Sequence, residues 1–418
     1  MTAVNKAKQL VIGLVAWQAL PVIEPAQGRS VGGLETGAWT LARGIARHSA
    51  LKVQFFVHTK SRGTTKIVND VEVVQIPNFI ETIRREVSSH VDVGPPFRLK
   101  KWNLGLLWKI PFLLVTKPFR PDPPKPMSVD NRLSSANVDV WCGFGVNGDS
   151  ARVAATAISQ SKPMLLFLES NADLDLLRRG SDTSHRNAYG ELLEEQLFAL
   201  KNASVVICQS NWQMDRLRTD FSQMGILIRN PIDVQDWKPR DSRQRAGVLW
   251  IGRYDDFHKR PALAMRIAAS CPDVSFTFII NPGDAEIEAD VRKNCPGNVT
   301  IVDYVPFRDM PSKFASAAVF LCTGDPSHEG FPNVLLQAAA ARTPIVSLND
   351  FDGFLVESGA GVVCNESLDF ASMHVKQLAN GNQIDWERAE HFLIENYSTP
   401  SIVSKFEEAV RTVVARLP

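Results

Sequence analysis

HEGFPNVLLQAAAARTPIVSL, which runs from His328 to Leu348, places an acid, a turn and a helix start within a few residues of one another. Pro332 is favoured at the first position of a helix, where its missing N–H is not needed. The backbone amides that follow it would then point back toward Glu329. A helix N-terminus binds anions, because its unpaired N–H groups and its dipole both favour negative charge. The stretch therefore indicates a ligand with both hydroxyl and phosphate groups, such as a nucleotide sugar.

The composition is that of an ordinary globular protein. The chain has 418 residues, of which 44% are hydrophobic and 22% charged, and its net charge is +1. This length predicts two domains, and the neutral balance gives no reason to expect a nucleic-acid partner. The scattered cysteines and histidines form no paired or metal-binding spacing, so neither disulfides nor a metal site is expected. No signal peptide or spanning helix is expected either, which favours a cytoplasmic location, in solution or at the inner face of the plasma membrane.

Short apolar runs alternate with helix-period segments along the whole chain. Leu10 to Val15 is expected to be a strand, and GLETGAWTLARGIARH, residues 33–48, the helix that follows a glycine-rich loop. The pattern restarts after a polar, proline-containing stretch at 229–245. Such alternation predicts βαβ units with parallel sheets, here two doubly wound, Rossmann-like α/β domains facing across a cleft. The expected domains are 1–235, 236–398 and a crossover helix at 399–418.

Two further clusters should reach this cleft. SVGGLETG follows the first strand, and its Gly32 and Gly33 allow the backbone to approach a ligand closely. GRYDDFHKRP follows the first strand of the second domain and supplies Arg253 and Lys259, which can bind phosphate oxygens. Taken alone, SVGGLETG is equally consistent with a glycine turn that simply starts a helix, and GRYDDFHKRP with a solvated basic loop.

The three clusters and the segment IRNPIDVQDWKP between them resemble the GT-B-fold, retaining glycosyltransferases of family 4, also called glycosyl transferases group 1. The resemblance covers nearly the whole chain, and the order of four motifs is more specific than any one of them. It implies transfer of a hexosyl unit from a nucleoside diphosphate sugar to a hydroxyl of a glycan or lipid-linked acceptor. It also implies retention of configuration, no metal or other cofactor, and a role in cell-envelope or exopolysaccharide biosynthesis.

The resemblance also implies roles for particular residues. Glu329 would contact the donor sugar, while Arg253 and Lys259 would stabilise the leaving diphosphate as catalytic residues. The residues expected to bind the donor are Gly32, Gly33, Gly330, Phe331, Asn333, Val334, Leu335 and Gln337. The residues expected on the acceptor side are Gly143, Gly145 and Glu169.

The chain departs from the family pattern at two positions. The family usually has a second glutamate where this chain has Gln337, so weaker or altered binding of the ribose is expected, since an amide lacks the charge assistance of a carboxylate. Many members have a histidine at the end of the strand in PMLLFLESNADLD, where this chain has Glu169 or Ser170. A catalytic role for that position is therefore in doubt.

Two other functions remain open from the sequence. GFGVNG, residues 143–148, fits the dinucleotide-binding pattern G-x-G-x-x-G, and Glu169 ends the next strand, which suggests an NAD-dependent oxidoreductase. However, the motif lies in mid-domain and explains neither Glu329 nor the two cations. The other possibility is a GT-B-like protein that binds nucleotide sugars without catalysis, suggested by Gln337 and the missing histidine.

One basic and aromatic segment interrupts the alternation. Residues 97–121 read FRLKKWNLGLLWKIPFLLVTKPFRP, with six Lys or Arg residues and no acid. Basic and aromatic residues around a leucine-rich centre are typical of an element that lies on an anionic membrane. A helical hairpin packed on the N-terminal domain, with solvated lysines, is an equally good interpretation.

Overall fold

The structure is a computed structural model of the chain. It describes residues 9–27, 32–92, 98–99, 102–119, 127–179, 186, 191–239, 245–381 and 384–416. Some predicted segments lie partly outside these ranges, namely 30–31 of SVGGLETG, 240–244 of the polar stretch between the domains, 97, 100–101 and 120–121 of the basic segment, and 417–418 of the crossover helix.

The N-terminal domain is built on an eight-stranded sheet. In chain order its strands are β1 (Val11–Val15), β2 (Lys52–Thr59), β3 (Thr65–Val68), β4 (Val71–Pro77), β7 (Val140–Phe144), β8 (Met164–Phe167), β9 (Val205–Cys208) and β10 (Gly225–Leu227). Their spatial order is β10-β9-β8-β7-β1-β2-β4-β3, and all pairs are parallel except β3 with β4. The strand order reverses between β7 and β1, which is where a doubly wound sheet opens a ligand crevice. A separate two-stranded ribbon pairs β5 (Val91–Asp92) with β6 (Arg98–Leu99).

Among the described residues, eight α-helices accompany this sheet. They are α1 (Leu20–Ile23), α2 (Gly33–His48), α3 (Phe79–His90), α4 (Leu106–Thr116), α5 (Asn131–Ser134), α6 (Gly148–Ser159), α7 (Leu193–Asn202) and α8 (Asn211–Phe221). Short 3-10 helices at Pro25–Gln27, Lys117–Phe119 and Asn171–Arg179 connect them. The central strands β7 and β8 are buried on both faces, as expected of a parallel sheet covered by helices.

The C-terminal domain repeats this plan with six parallel strands. They are β11 (Val248–Arg253), β12 (Phe276–Asn281), β13 (Val299–Val302), β14 (Val319–Cys322), β15 (Ile345–Ser347) and β16 (Gly361–Val363), in the spatial order β13-β12-β11-β14-β15-β16. The helices are α9 (Val234–Trp237), α10 (Pro261–Ala269), α11 (Ala285–Lys293), α12 (Met310–Ser316), α13 (Asn333–Ala340), α14 (Phe354–Ser358), α15 (Leu368–Ala379) and α16 (Trp386–Tyr397), with a 3-10 turn at Phe307–Asp309.

The last helix, α17 (Thr399–Ala415), returns to the N-terminal domain. Its buried stripe, with Ile402 and Phe406 at helical spacing, belongs to the same apolar cluster as the N-terminal sheet. Gly44 of α2 permits the closest approach, since a Cβ there would lie 2.2 Å from Cγ2 of Thr399. Helix α17 therefore joins the two domains through packing as well as through the chain.

The predicted fold class is confirmed, as two doubly wound parallel sheets. The bounds of α2 agree with the prediction, whereas β3 and α3 were not predicted. The hairpin of β3 and β4 turns through Asn69 and Asp70, both with positive φ, and this pair of turn-forming residues was the available signal. Within the described ranges, no helix is long and apolar enough to cross a bilayer, and the six cysteines are unpaired thiols.

Candidate active site

A cavity of about 430 Å³ lies between the carboxyl ends of the two sheets. This volume is in the range of small-molecule sites. The N-terminal domain contributes residues at or just after the ends of β1, β7, β8 and β9, namely Gly32, Gly33, Gly145, Glu169 and Gln209. The C-terminal domain contributes residues at or after the ends of β11, β13 and β14, including the start of α13, namely Arg253, His258, Lys259, Tyr304, Glu329, Phe331, Asn333, Val334 and Gln337. The crevice is thus formed by the strand ends that doubly wound sheets use for ligands.

Three of the predicted site residues do not line this cavity. Gly143 lies inside β7, where the side chains of neighbouring residues pack against it. Gly330 lines a separate cavity on the other side of the same loop. Leu335 is buried in the domain core, and its amide donates to the Pro332 carbonyl at 3.0 Å, so it is not available to an anion. Pro332 is the residue before the helix rather than its first residue, which shifts the open amides to Asn333 and Val334.

Glu329 and Lys259 form an ion pair at the bottom of the cleft. The Lys259 ammonium donates to Oε1 of Glu329, whose side chain is only 5% exposed. Burial raises the pKa of the Glu329 carboxyl, and the Lys259 charge partly offsets this rise. Among the described residues, Oε2 of Glu329 is buried with no hydrogen-bond partner. Buried polar atoms are almost always paired, so this oxygen is suited to accept a hydrogen bond from a bound ligand.

Arg253 reaches the same cavity from the end of β11. Its Nε donates to Oδ2 of Asp255, while Oδ1 of Asp255 accepts from the amides of His258 and Lys259 at 2.8 and 2.7 Å. Asp255 therefore fixes both the guanidinium and the loop that carries Lys259. Two cations are held within one cleft, where a ligand phosphate could interact with both.

Two helix N-termini face each other across the cleft. The Asn333 side chain, at the start of α13, donates to the Gly33 carbonyl at 2.9 Å and accepts from Asn230 at 2.7 Å. Helix α2 begins at Gly33, with the Gly32 amide donating to Glu35 at 2.9 Å. The positive end of the α13 dipole is thereby directed at the cavity and adds to the field of the two cations, whereas the Glu35 carboxylate already occupies the start of α2.

The N-terminal side of the cleft is acidic. Glu35 and Glu169 line it, with Asp173 close behind, and Glu169 accepts from the Gln209 amide at 3.2 Å. Burial, together with the charges of Asp173 and Glu35, raises the pKa of Glu169. Burial likewise raises the pKa of Glu35, and it raises that of Asp173 to about 6. Carboxyl groups of this kind accept or donate hydrogen bonds to hydroxyls, according to their protonation state.

Glu169→Gln is expected to stabilise the folded chain above pH 7 by on the order of 1–2 kcal/mol, because the ionised carboxylate is disfavoured by burial. A raised folded-state pKa means that stability present near pH 4 is lost as the pH rises through that pKa. The variant and the wild type should therefore have similar Tm values near pH 4 and diverge toward pH 8. Thermal melts across this range test the expectation, and a variant less stable than the wild type at pH 8 contradicts it.

Direct contacts hold the two domains together beside the cavity. The Ser170 hydroxyl donates to the His328 carbonyl, and the Asn171 amide donates to the Pro326 carbonyl at 2.7 Å. Gln209, which binds Glu169 through its amide nitrogen, accepts from the Phe331 amide at 3.3 Å through its oxygen. Thus Glu169 and Ser170 both line the cavity at the end of β8, and Ser170 also joins the domains.

The GFGVNG loop does not form a diphosphate site. Gly145 adopts a positive φ of 75° and Asn147 caps α6, accepting from the Ser150 amide at 2.9 Å. The next amide, that of Gly148, donates to the Glu191 carboxylate at 3.2 Å. A carboxylate therefore occupies the helix N-terminus that would have to bind the pyrophosphate of a dinucleotide, which disfavours the oxidoreductase interpretation.

Sequence reasoning did not identify several polar residues that line the cavity, among them Gln209, His258 and Tyr304. Among the described residues, Nδ1 of His258 and the Tyr304 hydroxyl are buried without hydrogen-bond partners. Burial and the neighbouring Lys259 lower the pKa of His258, which keeps its ring neutral. The position of His258 next to Lys259 was a signal in the sequence, whereas Tyr304 and Gln209 have no motif around them.

Comparison with known proteins agrees with this architecture. Residues 245–380 match the family model described as Glycosyl transferases group 1. Sucrose-phosphate synthase from Thermosynechococcus elongatus is 14% identical and superposes with a TM-score of 0.64, covering 97% of this chain and 100% of that one. A mutant of TarM from S. aureus, in complex with fondaparinux, alpha-GlcNAc-glycerol and UDP, gives 10% identity, coverages of 96% and 100%, and a TM-score of 0.63. HepE from Anabaena, in complex with UDP and glucose, is 13% identical and superposes with a TM-score of 0.61, covering 97% of this chain and 100% of that one. A search of curated proteins finds no match.

The structural likenesses establish the GT-B fold. The family model covers the domain that carries Arg253, Lys259 and Glu329. Together they support a glycosyltransferase of the GT-B type, and they do not favour the alternatives.

Proposed function

We propose that this chain transfers a hexosyl unit, with retention, from a nucleoside diphosphate sugar to a hydroxyl of a glycan or lipid-linked acceptor. The observation that carries the proposal is the buried Lys259–Glu329 pair beside the start of α13, with Arg253 in the same cavity. In the proposal the enzyme acts in the cytoplasm, in cell-envelope or exopolysaccharide biosynthesis. Retention of the anomeric configuration is proposed from the family resemblance alone.

The positive groups would bind the diphosphate. Arg253 and Lys259 line the cavity together with the first residues of α13, and their charges would stabilise the negative charge that develops on the leaving phosphate. The open amides of Asn333 and Val334 add hydrogen-bond donors. We propose that these groups supply the positive field without a metal ion.

The carboxylates would bind the sugars. Oε2 of Glu329, buried and without a partner among the described residues, belongs to the carboxylate that Lys259 contacts, so it suits a hydroxyl of the donor sugar held next to the diphosphate. Glu169 and Glu35 lie on the opposite wall, where an acceptor would approach. In the TarM and HepE structures, UDP is bound together with a sugar or glycan, and a ligand of the same class is proposed for this chain.

The test is a panel of UDP-, GDP- and ADP-hexoses incubated with the chain and with glycan or lipid-extract acceptors, with and without EDTA. Release of nucleoside diphosphate that requires one donor and an acceptor, and that persists in EDTA, is the expected result. Retention is read from the anomeric configuration of the product by NMR. Nucleotide binding without turnover across the panel would instead indicate a binding protein. A rise in the melting temperature of the chain with NAD but with none of the nucleotide sugars would favour the oxidoreductase interpretation.

Gln337→Glu is expected to strengthen nucleoside diphosphate binding by about fivefold, since a hydrogen bond to a charged acceptor is about 1 kcal/mol stronger than one between neutral groups. Gln337 is buried in the cavity wall on α13. Calorimetric titration with the active nucleotide measures the effect. Unchanged or weaker binding would mean that this position does not contact the ribose.

A further inference from the structure

An exposed apolar face covers one side of the N-terminal domain. It is formed by α4 and the residues just before it, and its exposed fractions are Trp102 60%, Leu104 74%, Leu107 61%, Trp108 52%, Leu114 65% and Val115 70%. Leu107 and Leu114, and likewise Trp108 and Val115, are seven positions apart, about two helical turns, so these four side chains share one face of α4, and Trp102 and Leu104 lie just before it. We call Trp102, Leu104, Leu107, Trp108, Leu114 and Val115 the α4 face. Single exposed apolar residues are ordinary, but a continuous patch of this kind marks an interaction site.

The opposite side of α4 is already used for packing. Leu106 is buried against Ile83 and Val87 of α3, and Lys109 pairs with Glu86 at 2.6 Å. Helix α4 is therefore apolar on both sides, which is unusual for a helix that has only one protein neighbour. Packing against α3 buries one face of α4, and the other face has no partner among the described residues.

We propose that the α4 face docks on an anionic lipid bilayer. The segment 97–121 that contains it has six basic residues and no acid. Arg98 and Lys117, near its two ends, are exposed. Trp102 and Trp108 add rings of the kind that settle at the membrane interface. Pairing of this face with a second copy of the chain would bring the two basic segments together, so charge complementarity favours anionic headgroups.

The position of the hairpin connects this proposal to the cleft. Helix α3 begins immediately after β4, at the carboxyl edge of the N-terminal sheet, and the Phe112 ring of α4 contacts Phe79 with centroids 5.9 Å apart. The C-terminal half of α4 thus lies at the same carboxyl edge of the N-terminal sheet whose loops after β1, β7, β8 and β9 line the cavity. A chain docked this way would meet lipid-linked acceptors at the membrane surface, a consequence that rests on the proposed function, whereas docking itself does not.

Sedimentation with vesicles tests docking without nucleotide or acceptor. The wild type should bind vesicles of equal parts phosphatidylcholine and phosphatidylglycerol at least about tenfold more strongly than phosphatidylcholine alone, and salt should weaken this binding. Leu107→Glu/Leu114→Glu should lose about tenfold or more of the binding, because two charges would have to enter the interface. Lys117→Glu should weaken binding to the anionic vesicles only.

The matched control is Ile158→Glu/Met224→Glu, which changes two exposed apolar residues elsewhere on the same domain and should bind like the wild type. Circular dichroism and release of nucleoside diphosphate with a soluble acceptor report whether each variant is folded, separately from vesicle binding. Wild-type protein that stays in the supernatant with both vesicles overturns the proposal. So does a wild-type dimer that Leu107→Glu/Leu114→Glu converts to a monomer, since the face would then be a self-interface.

Discussion

Lys259→Met is expected to lower kcat/KM for sugar transfer by about 10³-fold or more, the order found when a positioned charge or donor is removed from a developing anion. The ammonium is the cation closest to Glu329, and it lines the cavity with Arg253. Its loss would remove both a phosphate contact and the group that holds the Glu329 carboxylate. Steady-state kinetics with the active donor measure the effect.

A structural explanation must be separated from a catalytic one, because Lys259→Met leaves Glu329 buried without its cation. That change alone is destabilising. The double variant Lys259→Met/Glu329→Gln removes both charges, so its Tm should return toward that of the wild type while transfer stays absent. Lys66→Met, which removes a lysine paired with Glu24, should retain activity, because neither residue lines the cavity. Transfer by Lys259→Met within tenfold of the wild type would show that the site is assigned wrongly.

The fold could be predicted from the sequence because the strands of parallel sheets have a distinctive apolar pattern. Strands buried on both faces, such as β7 and β14, are continuous apolar runs between helix-period segments. The exposed strand β3 has no such run, and only its two-residue turn indicates it. Edge strands are therefore difficult to predict for a physical reason: few of their side chains are buried, so their sequences carry little apolar pattern.

The cleft was predictable in outline but not in its pairings. A motif such as GRYDDFHKRP indicates that Arg253 and Lys259 follow a strand, which places them at the carboxyl edge of the sheet. It does not indicate that Asp255 binds Arg253, nor that Lys259 reaches Glu329, some 70 positions away. Gln209 had no motif, because its role is to join two walls that only the folded chain brings together.

Asp352→Asn is expected to lower Tm by about 5–10 °C, from the loss of about 2–3 kcal/mol when one partner of a mostly buried ion pair is neutralised. Asp352 accepts from Arg229 at 2.8 Å and from the Asn211 amide at 2.8 Å, and its side chain is 5% exposed. It thereby binds the interdomain segment and the start of α8 from the C-terminal domain. The Arg229 guanidinium also lies 5.6 Å from the Tyr397 ring centre, so it cannot move to water without losing that contact.

The matched control is Asp303→Asn, which neutralises an exposed partner of Arg292 within the C-terminal domain. Exposed pairs contribute about 1 kcal/mol or less, so its Tm should fall by no more than a few degrees. Differential scanning calorimetry of both variants also resolves whether the domains separate, since weakening of the interdomain contact should split a single transition into two. Equal Tm shifts in Asp352→Asn and Asp303→Asn would mean that the contact across the domains adds nothing beyond an ordinary surface pair.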